Sequence, residues 1–260
     1  MRLFTIVLVW GVSLPAFADP PHCLGSCPTG APNENQTIKR TLYTLSNNPI
    51  TKFADWVAYK VEPANLNTGS TSRVWKADPV LGAGNTIVPT EYDDASRIVG
   101  IDRGHQAPLG SFKSHPEWPT TNYLSNITPQ FTYLNQGAWK SLEDAVRAMV
   151  KAKSVVAYVV TGPLYEWRMP KLPATDKDHR IPSSYWKVIA VDDPSGVRVA
   201  AFYFYQSTPY KAKYCDSLKT VDFIERKSGL SLLSGIANEG QIEAGEPRLA
   251  ADLGCTPPFR

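Results

Sequence analysis

The chain lacks a large excess of either charge, so its composition does not identify it as a nucleic-acid-binding protein. Its 27 Lys and Arg are set against 24 Asp and Glu, a formal net charge of +3, whereas a dedicated binding domain is usually strongly basic. With 43% hydrophobic and 11% aromatic residues, it does not have the composition of a disordered chain. The 17 Gly and 22 Pro follow no period, which excludes a collagen-like protein. Function must therefore be inferred from motifs.

Long hydrophobic runs are also scarce, and the one that stands out lies at the N-terminus. Arg2 precedes an apolar stretch at residues 3–14, which a proline and the small-residue pattern of residues 16–18 follow. This order is typical of a secretory signal peptide, and 12 apolar residues are too few to span a bilayer. We expect residues 1–18 to be a signal peptide. Residues 19–260 are then expected to form a single exported domain, periplasmic or extracellular, with no membrane association in the mature form.

Four cysteines are expected to be oxidised in an exported chain, because an even count in an oxidising compartment indicates disulfides. Proximity in sequence favours the pairs Cys23–Cys27 and Cys215–Cys255. The second pair would close a loop of about 40 residues and stabilise the fold by roughly 4 kcal/mol. The alternative for the first pair is a zinc site with His22, although no fourth ligand lies nearby in the sequence.

Hydrophobic patterning predicts an α+β fold with a central antiparallel β-sheet flanked by helices. Residues 19–36 should form an irregular arm pinned by a disulfide. Strands or short extended segments are predicted at residues 41–44, 56–61, 98–101, 123–127, 154–161, 186–191 and 197–205. Helical periodicity is clear over residues 138–150, and a second helix over 220–227 should stop at Gly229.

The first of these helices contains an anomaly at its start. Asn135 projects near the middle of the apolar stripe, three residues before Ala138 and seven before Leu142. A core-facing asparagine needs a partner, because an unpaired buried amide costs a few kcal/mol. Two roles are open: an N-cap of the helix, or a ligand of a hard metal ion through the amide oxygen. Glu143 and Arg147 lie further along the same helix, four residues apart. Taken alone, this spacing is that of an ordinary Glu–Arg ion pair on a helix surface.

A histidine follows the predicted strand that ends at Ile101, within the tetrapeptide Asp102-Arg103-Gly104-His105. A side chain at the end of a strand can be held rigidly over a cleft. The ordinary pKa of histidine, near 6.5, suits a general base at neutral pH. A lone histidine is nevertheless more often structural or solvated than catalytic.

Several motifs together resemble one family. They are DRGHQAP at 102–108, SNITPQ at 125–130, LNQGAW at 134–139 and LED at 142–144. In this order and spacing they are similar to those of the DNA/RNA non-specific endonuclease family, the secreted Serratia-type nucleases, with mitochondrial endonuclease G more distant. ADWVAYK at 54–60 and both cysteine pairs extend the resemblance over nearly the whole mature chain.

The resemblance implies a ββα-metal (His-Me finger) motif within a larger sheet-and-helix domain. It implies a secreted endonuclease, indifferent to sugar and sequence, that hydrolyses single- or double-stranded DNA and RNA to 5′-phosphorylated products. One Mg²⁺ is the implied cofactor, with Mn²⁺ as a substitute, and a homodimer is compatible with the family. Two other classes remain open: a non-enzymatic nucleic-acid binder, and a phosphoesterase for small or lipid substrates.

The same resemblance assigns roles to individual residues. His105 would be the general base that activates water, and Asn135 the single direct protein ligand of Mg²⁺. Glu143 would orient the water around the ion, and Arg73 would clamp the phosphate with its guanidinium fork. Asn126 and Arg147 match supporting positions around the site, the first in catalysis and the second beside the substrate. For Asp102 and Arg103 two roles are open: positioning the loop, or contacting the substrate.

Overall fold

The computed structural model describes residues 21–67, 69, 71–245 and 247–256, so the expected signal peptide lies outside the described residues. Nine strands occur in this part of the chain: β1 (Gln36–Lys39), β2 (Tyr43–Asn47), β3 (Ala54–Val61), β4 (Ile101–His105), β5 (Ile127–Phe131), β6 (Ala157–Leu164), β7 (Ser184–Asp193), β8 (Gly196–Tyr205) and β9 (Leu218–Lys219). Seven form one antiparallel sheet in the order β1-β2-β3-β6-β7-β8-β9, and β4 pairs with β5 separately. The predicted α+β class with a central antiparallel sheet is confirmed.

Five α-helices accompany these strands in the described ranges: α1 (Ala95–Val99), α2 (Thr132–Leu134), α3 (Lys140–Lys153), α4 (Val221–Ser228) and α5 (Glu239–Ala244). A π-helical turn, Asn135–Trp139, joins α2 to α3 across a kink at Gly137, where φ −97° and ψ −115° are not helical. The Thr220 side chain caps α4 by accepting a hydrogen bond from the Phe223 backbone N–H, and Gly229 ends the helix with φ +73°. This confirms the helix predicted over 220–227. Among the residues the structure covers, no helix is long and apolar enough to cross a bilayer.

Both faces of the large sheet are covered, which explains why its central strands are almost continuously apolar. On one face, Leu142, Val146, Met149 and Val150 of α3 belong to a buried cluster with alternate side chains of β3, β7 and β8. On the other face, Val221 and Ile224 of α4 and the cysteine-bearing N-terminal arm pack against the intervening side chains. Successive strand residues point to opposite faces, so each strand contributes to two cores.

The smaller sheet and the helix that follows it form the predicted ββα unit. The register of β4 on β5 runs from Ile101↔Phe131 to His105↔Ile127, so His105 stands at the end of its strand. Gly104 is required here, because a Cβ at this position would collide with the Gln130 side chain on β5. The chain then passes directly from β5 into α2 and the π-helical turn.

Several predicted boundaries were wrong, each for a local reason. The first two residues of the segment predicted as a strand at 98–101 belong to helix α1, and Gly100, with φ +66°, ends that helix before β4 begins at Ile101. The extended segment predicted at 123–127 is a 3₁₀ turn over Leu124–Asn126, so β5 starts at Ile127. Strand β1 was not predicted, and β2 lies two residues later than expected.

Both predicted disulfides are present, Cys23–Cys27 and Cys215–Cys255, with Cα–Cα separations of 5.1 and 5.5 Å. The zinc alternative is therefore wrong, because the two sulfur ligands it needs are bonded to each other. His22 instead has one ring nitrogen 3.0 Å from Thr44 Oγ1 and the other 2.9 Å from the Thr41 carbonyl.

A carboxylate cluster joins α4 to α5 at one edge of the fold. Oxygens of Asp222, Glu225 and Glu243 lie within 4.8 Å of one another, and Glu243 is only 7% exposed. Burial, and then repulsion by the neighbouring carboxylates of Glu225, Glu239 and Asp222, raises the pKa of Glu243 to about 7. The folded protein therefore favours protonated Glu243, while the unfolded chain ionises it at a lower pH.

We predict that Glu243→Gln flattens the pH dependence of stability. Because the pKa of Glu243 is higher in the folded protein than in the unfolded chain, protonation of this carboxyl favours the folded state. This contribution to the free energy of unfolding is fully present below the unfolded-state pKa and is lost as pH rises through about 7. Between pH 5 and 8 the wild type should lose on the order of 2 kcal/mol relative to the variant. Urea unfolding at several pH values measures this, with the exposed Glu117→Gln as a control. Parallel pH profiles for wild type and Glu243→Gln would contradict the prediction.

Candidate active site

A cleft of about 1250 Å³ opens where the ββα unit meets the segment around residue 73. Its lining brings together seven of the eight predicted site residues: Arg73, Asp102, Arg103, His105, Asn135, Glu143 and Arg147. They come from a loop, a strand and a helix that are far apart in sequence. The fold therefore places the predicted chemistry in one concave site.

His105 is held in one orientation at the end of β4. Its Nε2 lies 3.1 Å from Asn122 Oδ1, and its ring centroid is 5.2 Å from that of Trp75. An amide oxygen can only accept, so Nε2 carries the proton and Nδ1 is the basic nitrogen of the neutral ring. Burial, opposed by the Asn122 hydrogen bond and assisted by the positive charge of Arg73, lowers the pKa of His105 to about 4. The ring is thus an unprotonated base at neutral pH.

Asn122 is a site residue that the sequence reasoning missed. It ends the 3₁₀ helix Trp118–Asn122 and is 1% exposed. While Oδ1 accepts from His105, Nδ2 donates to the Ser72 carbonyl at 3.0 Å. The amide thus connects the histidine to the backbone next to Arg73. It lies in a stretch without periodicity, so no pattern in the sequence pointed to it.

Asp102 and Asn135 form the junction between β4 and the helical segment. Asn135 Nδ2 donates to Asp102 Oδ2 at 3.0 Å, and Thr132 Oγ1 and Gln136 Nε2 donate to the same carboxylate at 2.9 and 2.8 Å. Asp102 is therefore engaged in positioning the helix. Asn135 Oδ1 accepts no hydrogen bond from the described part of the chain, which leaves a hard oxygen donor at the cleft.

The N-cap alternative for Asn135 was wrong. The residue has helical dihedrals, φ −58° and ψ −44°, and lies two residues before the kink at Gly137 that separates α2 from α3. Its side chain caps no helix within the described residues. The backbone leaves the helical conformation at Gly137, with φ −97° and ψ −115°, so the helix direction changes just after Asn135. Here the turn begins at the candidate metal ligand.

Glu143 faces a buried lysine that the sequence reasoning did not identify. Lys187 of β7 is fully buried; its Nζ lies 3.6 Å from Glu143 Oε1, 3.3 Å from Tyr59 Oη and 4.1 Å from the Trp139 ring centroid. Burial raises the pKa of Glu143 against the opposing charge of Lys187, and burial lowers the pKa of Lys187 to about 8. At 3.6 Å the pair attracts electrostatically, but Glu143 Oε1 is buried without a hydrogen bond among the described residues.

Four arginines line the cleft, and three of them are predicted site residues. The Arg147 guanidinium packs against Gly110, where a Cβ would lie 3.1 Å away, and it pairs with Asp144. Arg103 lies over the rings of Tyr92 and Trp75, at 5.2 and 5.8 Å. Arg73 is exposed. Fork-shaped guanidinium groups suit phosphate oxygens, so the cleft is suited to a phosphate-bearing substrate.

Asn126 is placed differently from its predicted catalytic role. It is fully buried and is not part of the cleft lining formed by the described residues. Its Oδ1 accepts from the Ala107 N–H, and its Nδ2 donates to the carbonyls of Ala107 and Thr121, all at 2.9 Å. These bonds engage the whole amide with the backbone, so Asn126 fixes the turn that follows His105 and is not available to touch substrate.

Comparisons with known proteins agree with this geometry. Residues 25–239 match the family model described as DNA/RNA non-specific endonuclease. The chain is 47% identical over 238 residues to a nuclease of Serratia marcescens, covering 90% of this chain and 89% of the relative. It is 29% identical over 232 residues to human mitochondrial endonuclease G, covering 83% and 75%. A solved EndoG/EndoGI complex contains a chain with a similar fold, with a TM-score of 0.68 at 22% identity, covering 79% of this chain and 89% of that one.

We predict that Lys187→Met destabilises the fold by about 3 kcal/mol, because it leaves the Glu143 carboxylate buried without a counter-charge. Adding Glu143→Gln should restore at least about 1 kcal/mol, since neutralising both partners removes the unpaired charge. Urea unfolding of the wild type, the two single variants and the double variant gives the coupling energy. If the two substitutions are additive, the pair does not interact as described.

Proposed function

Since this chain belongs to the DNA/RNA non-specific endonuclease family, we propose that it hydrolyses phosphodiester bonds of DNA and RNA with His105 as general base, leaving 5′-phosphorylated products. Non-specific nuclease activity follows from the family match and from the 47% identity to the Serratia nuclease. The observation that best supports the assignment of His105 is its neutral ring, held by Asn122 in the same cleft as Asn135 and the arginines.

The base acts through Nδ1 of His105. This nitrogen takes a proton from a water molecule as the water oxygen bonds to phosphorus, and the bond from phosphorus to the 3′ oxygen breaks. The 3′ oxygen then takes up a proton from solvent, and the phosphate stays on the 5′ side. A properly placed general base contributes about 10²- to 10⁴-fold to such a step.

The residues of the cleft fit a hard divalent cation. Asn135 offers an amide oxygen that accepts no hydrogen bond from the residues the structure describes, and the carboxylates of Asp102, Glu143 and Asp144 line the same cleft. Mg²⁺ prefers oxygen ligands and keeps several waters, so one protein ligand is sufficient. Asn135 would hold the ion, with Mn²⁺ as a substitute. A bound cation would stabilise the negative charge that develops on the phosphate oxygens. Glu143, whose charge Lys187 favours, would orient solvent around this position.

Substrate binding is proposed to depend on phosphate rather than on base edges. Arg73, Arg103 and Arg147 reach the cleft from three separate elements, and guanidinium contacts to phosphate carry no sequence information. This explains how one cleft accepts DNA and RNA, single- or double-stranded.

The proposal includes export of the mature chain. Residues 1–18 would be removed as a signal peptide, and residues 19–260 would form one nuclease domain in the periplasm or outside the cell. Two disulfides support an oxidising destination, because such bonds persist there. A homodimer stays a prediction, which light scattering of the mature protein would test.

We predict that His105→Ala reduces cleavage of plasmid DNA and of RNA by at least about 100-fold while leaving the unfolding midpoint close to that of the wild type. Wild type should cut both substrates with Mg²⁺ or Mn²⁺ and stop when chelator is added. The matched control is His115→Ala, because His115 lines a different, smaller pocket.

Three outcomes would contradict this assignment: a wild type that is inert with metal, equal activity in chelator, or a fully active His105→Ala. Ligation of the fragments tests the product chemistry, because ends with a 5′ phosphate and a 3′ hydroxyl can be rejoined by a ligase without prior treatment.

A further inference from the structure

Two exposed tyrosines lie together beside the catalytic helix. Tyr133 is 67% exposed and Tyr210 is 54% exposed, and their ring centroids are 6.4 Å apart in an edge-to-face arrangement. Tyr210 lines the cleft, and Tyr133 precedes Asn135 by two residues. The site chemistry described above uses neither ring, although both present large apolar surfaces to solvent next to it.

The position of Tyr210 is fixed relative to the candidate metal ligand. A Cβ at Gly137 would lie 2.5 Å from the Tyr210 carbonyl oxygen and 3.1 Å from its Cα, so the tyrosine backbone rests directly on the π-helical turn. The loop is closed by hydrogen bonds from Thr208 N–H to the Tyr205 carbonyl, at 3.0 Å, and from Ala212 N–H to the Pro209 carbonyl, at 2.9 Å. The close approach therefore holds the ring beside the helix that carries Asn135.

Three lysines accompany the tyrosine pair, one of them, Lys140, in an ion pair with Asp144. Lys211 and Lys213 are exposed on the same loop as Tyr210, and Lys140, in the first turn of α3, also lines the cleft. Aromatic rings interleaved with cations are typical of surfaces that bind single-stranded nucleic acid, where bases stack on the rings and the cations follow the backbone. An unpaired base can reach such a ring, whereas a base inside a duplex is already stacked between its neighbours.

We propose that Tyr210 and Tyr133 form a base-stacking subsite that binds an unpaired nucleobase of the strand whose phosphate occupies the cleft. This rests on the proposed function and adds a substrate preference to it: single-stranded DNA and RNA gain a contact that duplexes do not. Because the contact is to the face of the base, it discriminates strandedness without discriminating sequence.

Steady-state cleavage of a single-stranded oligonucleotide and of its duplex tests the subsite. Tyr210→Leu should raise KM for the single strand by at least about fivefold, and this increase should exceed the increase for the duplex by a similar factor. Tyr210→Phe keeps the ring and should retain most of the single-strand affinity. Tyr133→Leu should act in the same direction as Tyr210→Leu. Tyr205→Leu is the matched control, because Tyr205 is 51% exposed but stacks on Trp167 instead.

Fluorescence anisotropy with a labelled single strand, in chelator and with the His105→Ala background, measures the subsite without turnover. A higher Kd for Tyr210→Leu than for Tyr210 supports the subsite even if the wild type does not cleave nucleic acid. Failure of the subsite proposal can therefore be distinguished from failure of the nuclease assignment. The proposal would be overturned if Tyr210→Leu lost the same affinity for the single strand as for the duplex, or if it lost no affinity for the single strand. It would also fail if Tyr205→Leu had the same effect, or if Tyr210→Leu changed the oligomeric mass instead of binding.

Discussion

The contact between Trp139 and the central sheet fixes the position of the site. The Trp139 ring is 1% exposed and meets Tyr185 and Phe204 edge-on, with centroids 5.6 and 5.8 Å apart, while Lys187 Nζ lies over its face. Glu143 lies four residues after this tryptophan, one turn further along the same helical segment, while Asn135 lies four residues before it, on the other side of the kink at Gly137. The kink at Gly137 lies between the two residues, with the tryptophan buried in the core and the asparagine at the cleft.

The opposite wall of the cleft is organised by buried amides. Asn126 bonds the backbone around Ala107, and Asn122 connects His105 to the segment beside Arg73. Asp102 then joins this wall to the helix through Asn135. The side chains of Asn122, Asn126 and Asp102 form hydrogen bonds with protein groups, which fix their orientations. The cleft is therefore preorganised before substrate binds. Burying His105 and the Glu143–Lys187 pair costs desolvation free energy. The same burial lowers the pKa values of His105 and Lys187 and raises that of Glu143.

Much of this arrangement could be predicted from sequence because it depends on local pattern or on motif order. The central strands, α4 with its Thr220 cap and Gly229 stop, the disulfide pairs and the residues at the cleft were all expected. The rest depends on tertiary contacts. Lys187 is a single polar residue in an apolar strand, and only the packing of α3 on β7 shows that it faces Glu143. Likewise, the role of Asn126 is decided by which backbone groups the fold brings within reach of its amide. The helix α1 was missed because its five residues are too few to show a period.

We propose that His105 on one wall of the cleft acts as the base and that Asn135 on the other wall would hold the ion. Calorimetric titration of Mn²⁺ into metal-free wild type, His105→Ala and Asn135→Ala, in the absence of nucleic acid, tests it most directly. We expect His105→Ala to bind the ion with an affinity close to that of wild type although it is inactive, and Asn135→Ala to lose at least about tenfold in affinity. Wild-type affinity in Asn135→Ala, or loss of binding in a folded His105→Ala, would contradict the assignment.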